Sequence, residues 1–143
     1  MFEKMSQIEL SGISYPIKCD VVVLEQLQDM FGSIEEFEEG LLDWEYEYDE
    51  NNEKIEKIIG EKENKKKVFV TKYKFPKAKH ISAAVFFMVN EGMEISGKEA
   101  PFTTIKDAAR AIDAPVFRVS EILHSELLRS LTRKNVDTTQ VEM

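Results

Sequence analysis

The sequence is poor in the residues that most site chemistry uses. Its 143 residues include one cysteine, Cys19, and two histidines, His80 and His124. One cysteine excludes an internal disulfide framework and fits a reducing compartment, and so few soft ligands leave little material for zinc. The six glycines stand singly, so no dinucleotide fingerprint forms. Gly97-Lys98 lacks both the upstream glycine spacing and the following Ser or Thr of a phosphate loop. No apolar run reaches the roughly 18 residues of a membrane-spanning helix. Met1 to Leu10 is polar and has no secretory-signal pattern.

What is present is acid and apolar surface. Hydrophobic residues make up 43%, enough for a sizeable core, and the formal net charge is −8. The charge is divided: residues 1–62 carry 17 acids and 5 lysines, whereas residues 63–143 carry 10 acids and 14 basic residues. No basic residue stands between Lys18 and Lys54. An acidic balance argues against general nucleic-acid binding. It suits a basic partner or the basic half of a second copy, and so allows self-association.

Periodicity predicts a mostly helical α+β fold. Ser6 to Asp20 reads as a β-hairpin turning at Ser11-Gly12. Asp20 caps a helix from Val21 to Phe31 with Leu24, Leu27 and Phe31 inward, and Gly32 ends it. Ser33 and Glu36 form a capping box for a second short helix bearing Phe37 and Leu41. Trp44, Tyr46 and Tyr48 alternate with Glu45 and Glu47, and Val68 to Phe75 alternates likewise. Pairing them sets aromatics against aromatics and Glu45 and Glu47 against Lys72 and Lys74, a second, aromatic hairpin. The intervening Asp49 to Lys67 reads as a mobile loop, with one helical turn at Ile55, Ile58 and Ile59.

Lys77 to Glu91 is the expected central helix, with a stripe of Ile81, Ala84, Val85, Met88 and Val89, stopped at Asn90-Glu91-Gly92. After a connector, Thr103 or Thr104 caps a helix to Ile112. Pro115 starts the last helix, which bears Val119, Ile122, Leu123, Leu127 and Leu131. The expectation is one domain over residues 1–131 with a mobile insertion at about 49–67, and a flexible tail over 132–143.

No nucleophile, base and orienting group assemble, so no enzyme and no cofactor are expected. Glu35, Glu36, Glu38 and Glu39 read as a solvated helix face, Cys19 as a small buried residue, and His80 and His124 as surface or capping groups. Ile105 to His124, within residues 103–131, matches helix-turn-helix spacing. However, Val116 and Phe117 lead the would-be reading helix, where base edges favour Arg, Asn or Gln. A C-terminal αα-hairpin explains the same spacing. A small DNA-binding regulator is the alternative it leaves.

Four stretches carry a resemblance. They are Ile8-Glu9-Leu10-Ser11-Gly12-Ile13-Ser14-Tyr15-Pro16-Ile17, Leu24-Glu25-Gln26-Leu27-Gln28-Asp29-Met30-Phe31-Gly32-Ser33, Met88-Val89-Asn90-Glu91-Gly92 and Ser120-Glu121-Ile122-Leu123-His124. Together, over residues 6–131, the chain resembles tail assembly chaperones of long-tailed phages and prophages of Gram-positive bacteria. Residues 44–67 have no counterpart in that pattern. The resemblance implies a non-enzymatic protein of the host cytoplasm that coats the helical tape-measure protein until tail-tube subunits replace it. Helix-in-groove contact is the mode such a role implies. The candidate contact groups are Phe86, Phe87, Phe102 and Phe117, each also an ordinary core residue type.

Overall fold

The computed structural model describes residues 4–142, with side chains as far as Thr132. The fold is α+β: helices with small antiparallel strand pairs. Where one domain over 1–131 is expected, the chain divides into two units. One is Met1–Leu41 with Pro76–Met143, and the other is Leu42–Phe75.

The first unit opens with β1 (Ser6–Leu10) and β2 (Ile13–Ile17), paired so that Leu10 faces Ile13. Ser11 and Gly12 both have positive φ, the two-residue turn whose twist matches the strands. Alternation buries Ile8, Leu10 and Ile17. The turn is tied down: the Ser11 N–H donates to Asp113 Oδ1 (3.0 Å) and its hydroxyl to the Ala111 carbonyl (2.8 Å).

Helices α1 (Val21–Phe31) and α2 (Ile34–Leu41) begin at their expected caps. Asp20 accepts from the Val23 N–H, and the Ser33 hydroxyl from the Glu36 N–H. The buried stripe of α1 differs from expectation. Val23 and Leu27 are buried, while Leu24 and Phe31 are only partly covered.

Helix α3 (Ala78–Ile95) is central and buries Ile81, Ala84, Val85, Met88 and Val89, as its periodicity requires. It does not stop at Gly92. That glycine lies against the Pro16 backbone, where any Cβ would collide with the Pro16 carbonyl. Beside it the Lys18 N–H donates to the Met88 carbonyl (3.1 Å). Gly92 therefore allows a close approach of α3 to β2 and does not end the helix. His80 is likewise no surface group. It is buried, its ring lies 4.2 Å from that of Phe31, and its Nδ1 is 3.1 Å from the Phe37 carbonyl. Gly40 leaves the space it fills.

Thr104 and Asp107 cap α4 (Ile105–Ala111) reciprocally, and α5 (Val116–Glu142) follows. Helix α4 rests on α3, while α5 packs on α2 and α3. The expected αα-hairpin is thus a connection along the chain and not the main packing of either helix. Val119, Leu123 and Leu127 face the core. The last helix, expected to end near Leu131, keeps helical backbone to Glu142. The side chains of the expected tail beyond Thr132 lie outside the described residues.

In the second unit, β3 (Trp44–Tyr46) pairs with β6 (Thr71–Tyr73), and β4 (Glu56–Ile59) with β5 (Lys66–Phe69) around a 3₁₀ turn at Lys62–Asn64. The aromatic hairpin is present, with Trp44 opposite Tyr73 and Glu45 opposite Lys72. Glu47 does not meet a lysine, because its N–H donates to the Val70 carbonyl (2.9 Å). Residues 49–67 are not an irregular loop. A bridge between Tyr48 and Lys54 and the β4–β5 ladder continue the pairing, and Ile58 and Ile59 are extended, not helical. The expected strand from Val68 to Phe75 is interrupted at Val70, whose N–H turns to the Ile55 carbonyl.

Candidate binding cleft

Helix α1 runs antiparallel beside α3, with Phe31 near His80 at one end and Val22 near Glu91 at the other. At the latter end a cavity of about 200 Å³ opens, lined by Val22, Gln26, Phe86, Phe87, Asn90, Glu91, Glu94 and Ala100. Small-molecule sites run to roughly 300–1,000 Å³, so this one suits a single large side chain. Phe86 and Phe87 meet edge-to-face at 5.2 Å, each partly covered. Of the lining residues, Val22 is 51% exposed, an apolar side chain open to solvent.

Local chemistry fixes the polar side of the cleft. Asn90 clamps the connector: its amide nitrogen donates to the Phe102 carbonyl (2.9 Å) and its oxygen accepts from the Phe102 N–H (3.2 Å). Ala100 is held at the rim by that connector. Glu91 is pushed up to about 7, first by a side-chain hydrogen bond with Asp20, then by burial and by the negative charges of Asp20 and Glu94. Glu91 and Glu94 also occupy the C-terminal end of α3, where a helix favours cations, and the last turn has no basic residue.

The four candidate phenylalanines do not form one surface. Phe86 and Phe87 lie together in the cleft. Phe102 is 9% exposed and packs with the Tyr15 ring at 5.8 Å. Phe117 is 37% exposed in the first turn of α5. Sequence reasoning missed Val22, Asn90, Glu91 and Asp20. Two signals were available: carboxylates against the α3 dipole, and no Lys or Arg between Lys79 and Lys98.

Other reactive groups are built into the packing. Cys19 is buried, and its thiol is pushed up to about 12 by burial and by the nearby Glu126 and Asp20 charges, which leaves it a poor nucleophile. Glu126, 2% exposed, accepts from the Cys19 N–H (3.0 Å) and holds Arg129 with both oxygens at 2.8 Å. His124 is no free surface group, since its Nε2 lies 2.8 Å from Glu38 and links α5 to α2. Among the described residues no cluster of three or more His, Cys, Asp or Glu is arranged to hold a metal, and no helix is long and apolar enough to cross a membrane.

Fold and site together define an α+β protein with an open cleft between two helices, lined by both apolar and polar side chains. No protein-family model, curated protein or solved structure matches this chain.

Proposed function

We propose that this chain is a tail assembly chaperone of phage or prophage type. It acts without catalysis in the host cytoplasm, covering apolar stripes of the helical tape-measure protein until tail-tube subunits displace it. The observation that carries this reading is the α1–α3 cleft, lined by Phe86 and Phe87 with the exposed Val22 beside them. An open slot between helices with two phenylalanines in its lining suits helix-in-groove recognition of an apolar anchor. A holdase needs reversible burial, and a site sized for one side chain gives modest affinity per contact. The sequence resemblance supplies the identity of the partner.

Co-expression tests it. A helical tape-measure fragment that is insoluble alone becomes soluble with this chain, by mass action on its exposed state. Binding depends little on salt, because apolar burial and not phosphate neutralisation drives it. A fragment that stays insoluble overturns the reading, and tight, sequence-selective binding to duplex DNA at physiological salt replaces it with the regulator.

A further inference from the structure

We propose that the α1–α3 cleft selects an amphipathic helix in which the anchoring apolar side chain has a Lys or Arg within one turn. This rests on the reading that the chain binds helical segments and names which segments it takes.

The argument is one of charge complementarity around an apolar slot. Both helices that wall the cleft lack cations there. From Cys19 to Glu53, which includes α1, and from His80 to Gly97, which includes most of α3, no Lys or Arg occurs. The charged residues of α1 are Glu25 and Asp29, and those of α3 beyond His80 are Glu91 and Glu94. Among the described residues no ion pair joins Glu91 or Glu94 to a cation. Beside them, Asp20 and burial hold the Glu91 carboxyl above its ordinary range, at about 7, as expected where negative groups crowd together with no cation. An ammonium or guanidinium placed beside the anchor can pair with the Glu91 and Glu94 carboxylates that line the cleft. It also meets the negative end of the α3 dipole, an arrangement that costs the free protein and favours a bound cation. Acids on a partner helix would meet the Glu91 and Glu94 carboxylates of the α3 wall, so the same charges reject the wrong segment.

The test uses three synthetic helical peptides with one shared leucine stripe, flanked by Lys, Gln or Glu. Affinities are measured by fluorescence polarisation with the full chain at low and at physiological ionic strength. The Lys peptide is expected to bind roughly tenfold or more tightly than the Glu peptide at low ionic strength, with the gap narrowing at the higher. The double substitution Glu91→Gln and Glu94→Gln is expected to shrink that preference to about threefold or less and to spare the Gln peptide. Val22→Lys, at an exposed position that leaves folding intact by circular dichroism, is expected to weaken all three peptides and the Lys peptide most. Equal affinities for Lys and Glu peptides, no binding of any peptide, or a preference unchanged in the double variant overturns the assignment. So does a dimer of the free protein that Val22→Lys dissociates, since the cleft is then filled by a second copy. If Val22→Lys still solubilises the co-expressed tape-measure fragment, the cleft is not the site used: this inference fails, and the chaperone reading then rests on the sequence resemblance and the solubilisation itself. If peptides bind with the expected preference but the wild-type chain solubilises nothing, the chaperone reading fails alone.

Discussion

Residues 42–75 and the rest of the chain use apolar side chains in opposite ways. In the larger unit they converge: Leu10, Ile17, Leu27, Phe37, Val85, Met88, Leu123 and Leu127 form one cluster with essentially no exposed surface. Between Leu42 and Phe75 no residue is buried. That short segment nevertheless holds more than half of the exposed large hydrophobics among the described residues, Trp44, Ile58, Phe69 and Tyr73 included. Its order comes from antiparallel ladders and ring contacts, such as Tyr46 on Phe69 at 5.6 Å and the Lys54 ammonium 4.1 Å above the Tyr46 ring. Two-stranded ladders without a covered face are marginal in water. Stability here follows enclosure and not apolar content: the same residue types stabilise strongly where helices close over them and weakly where strands leave them open.

The sharpest way to break this contrast is one substitution in each unit. Val85→Asp places a charge in the enclosed cluster with no partner and is expected to unfold the larger unit, a loss of several kcal/mol. Phe69→Ser removes an exposed ring and is expected to cost no more than about 1 kcal/mol. Thermal denaturation by circular dichroism reads both. A Val85→Asp protein that melts like the wild type would refute the assigned core.

Gly92→Ala is the next largest. A methyl at this site meets the Pro16 carbonyl, which is backbone and cannot swing aside, so α3 must withdraw from β2. The expected cost is about 1–3 kcal/mol, although alanine is the better helix former by about 1 kcal/mol. An alanine variant that gains stability would show that the helix–hairpin approach is loose.

How much of this was legible along the chain follows from the range of the interactions. The β1–β2 hairpin, α1 and its Asp20 and Gly32 caps, and the α3 stripe are local patterns, and their positions were readable. Gly92 was read as a stop because asparagine and glycine usually end helices; only the non-local approach of Pro16 explains why this one does not. His80 reads as a surface or capping group, and nothing along the chain singles out Glu126. Their burial depends on Phe37 and Cys19 being brought to them by the fold. The β4–β5 ladder was hidden because Glu56 to Ile59 lacks alternation, with exposure on both faces. Of the cleft, Phe86 and Phe87 were foreseen, but the acidic wall was not, because Asp20 and Glu91 meet only when α1 lies antiparallel to α3.

A smaller effect sharpens the contrast within the larger unit, between its core and its cleft. Folding raises the Glu91 carboxyl from the usual 4.5 to about 7, so the folded state holds this proton more tightly than the unfolded state. The stabilisation is therefore fully present below about pH 4.5 and is lost as pH rises through about 7. Melting temperature is expected to fall modestly from pH 5 to 8, and Glu91→Gln is expected to flatten that slope. A slope that survives Glu91→Gln would place the proton elsewhere.

The smallest expected effect lies in the strand unit. Lys72 Nζ stands 3.6 Å from Glu45 Oε1, directly across the β3–β6 ladder, with both side chains about half exposed. Solvent screens such a pair, and holding two flexible side chains together costs entropy. The geometry is single-toothed, unlike the two-oxygen grip of Glu126 on Arg129. A double-mutant cycle with Glu45→Ala and Lys72→Ala should return a coupling of about 0.2–0.5 kcal/mol, vanishing at high salt. A coupling above about 1 kcal/mol would mean that the pair is desolvated in solution. The open strand unit would then be enclosed by something that binds it, and the contrast between the two units would belong to the free chain alone.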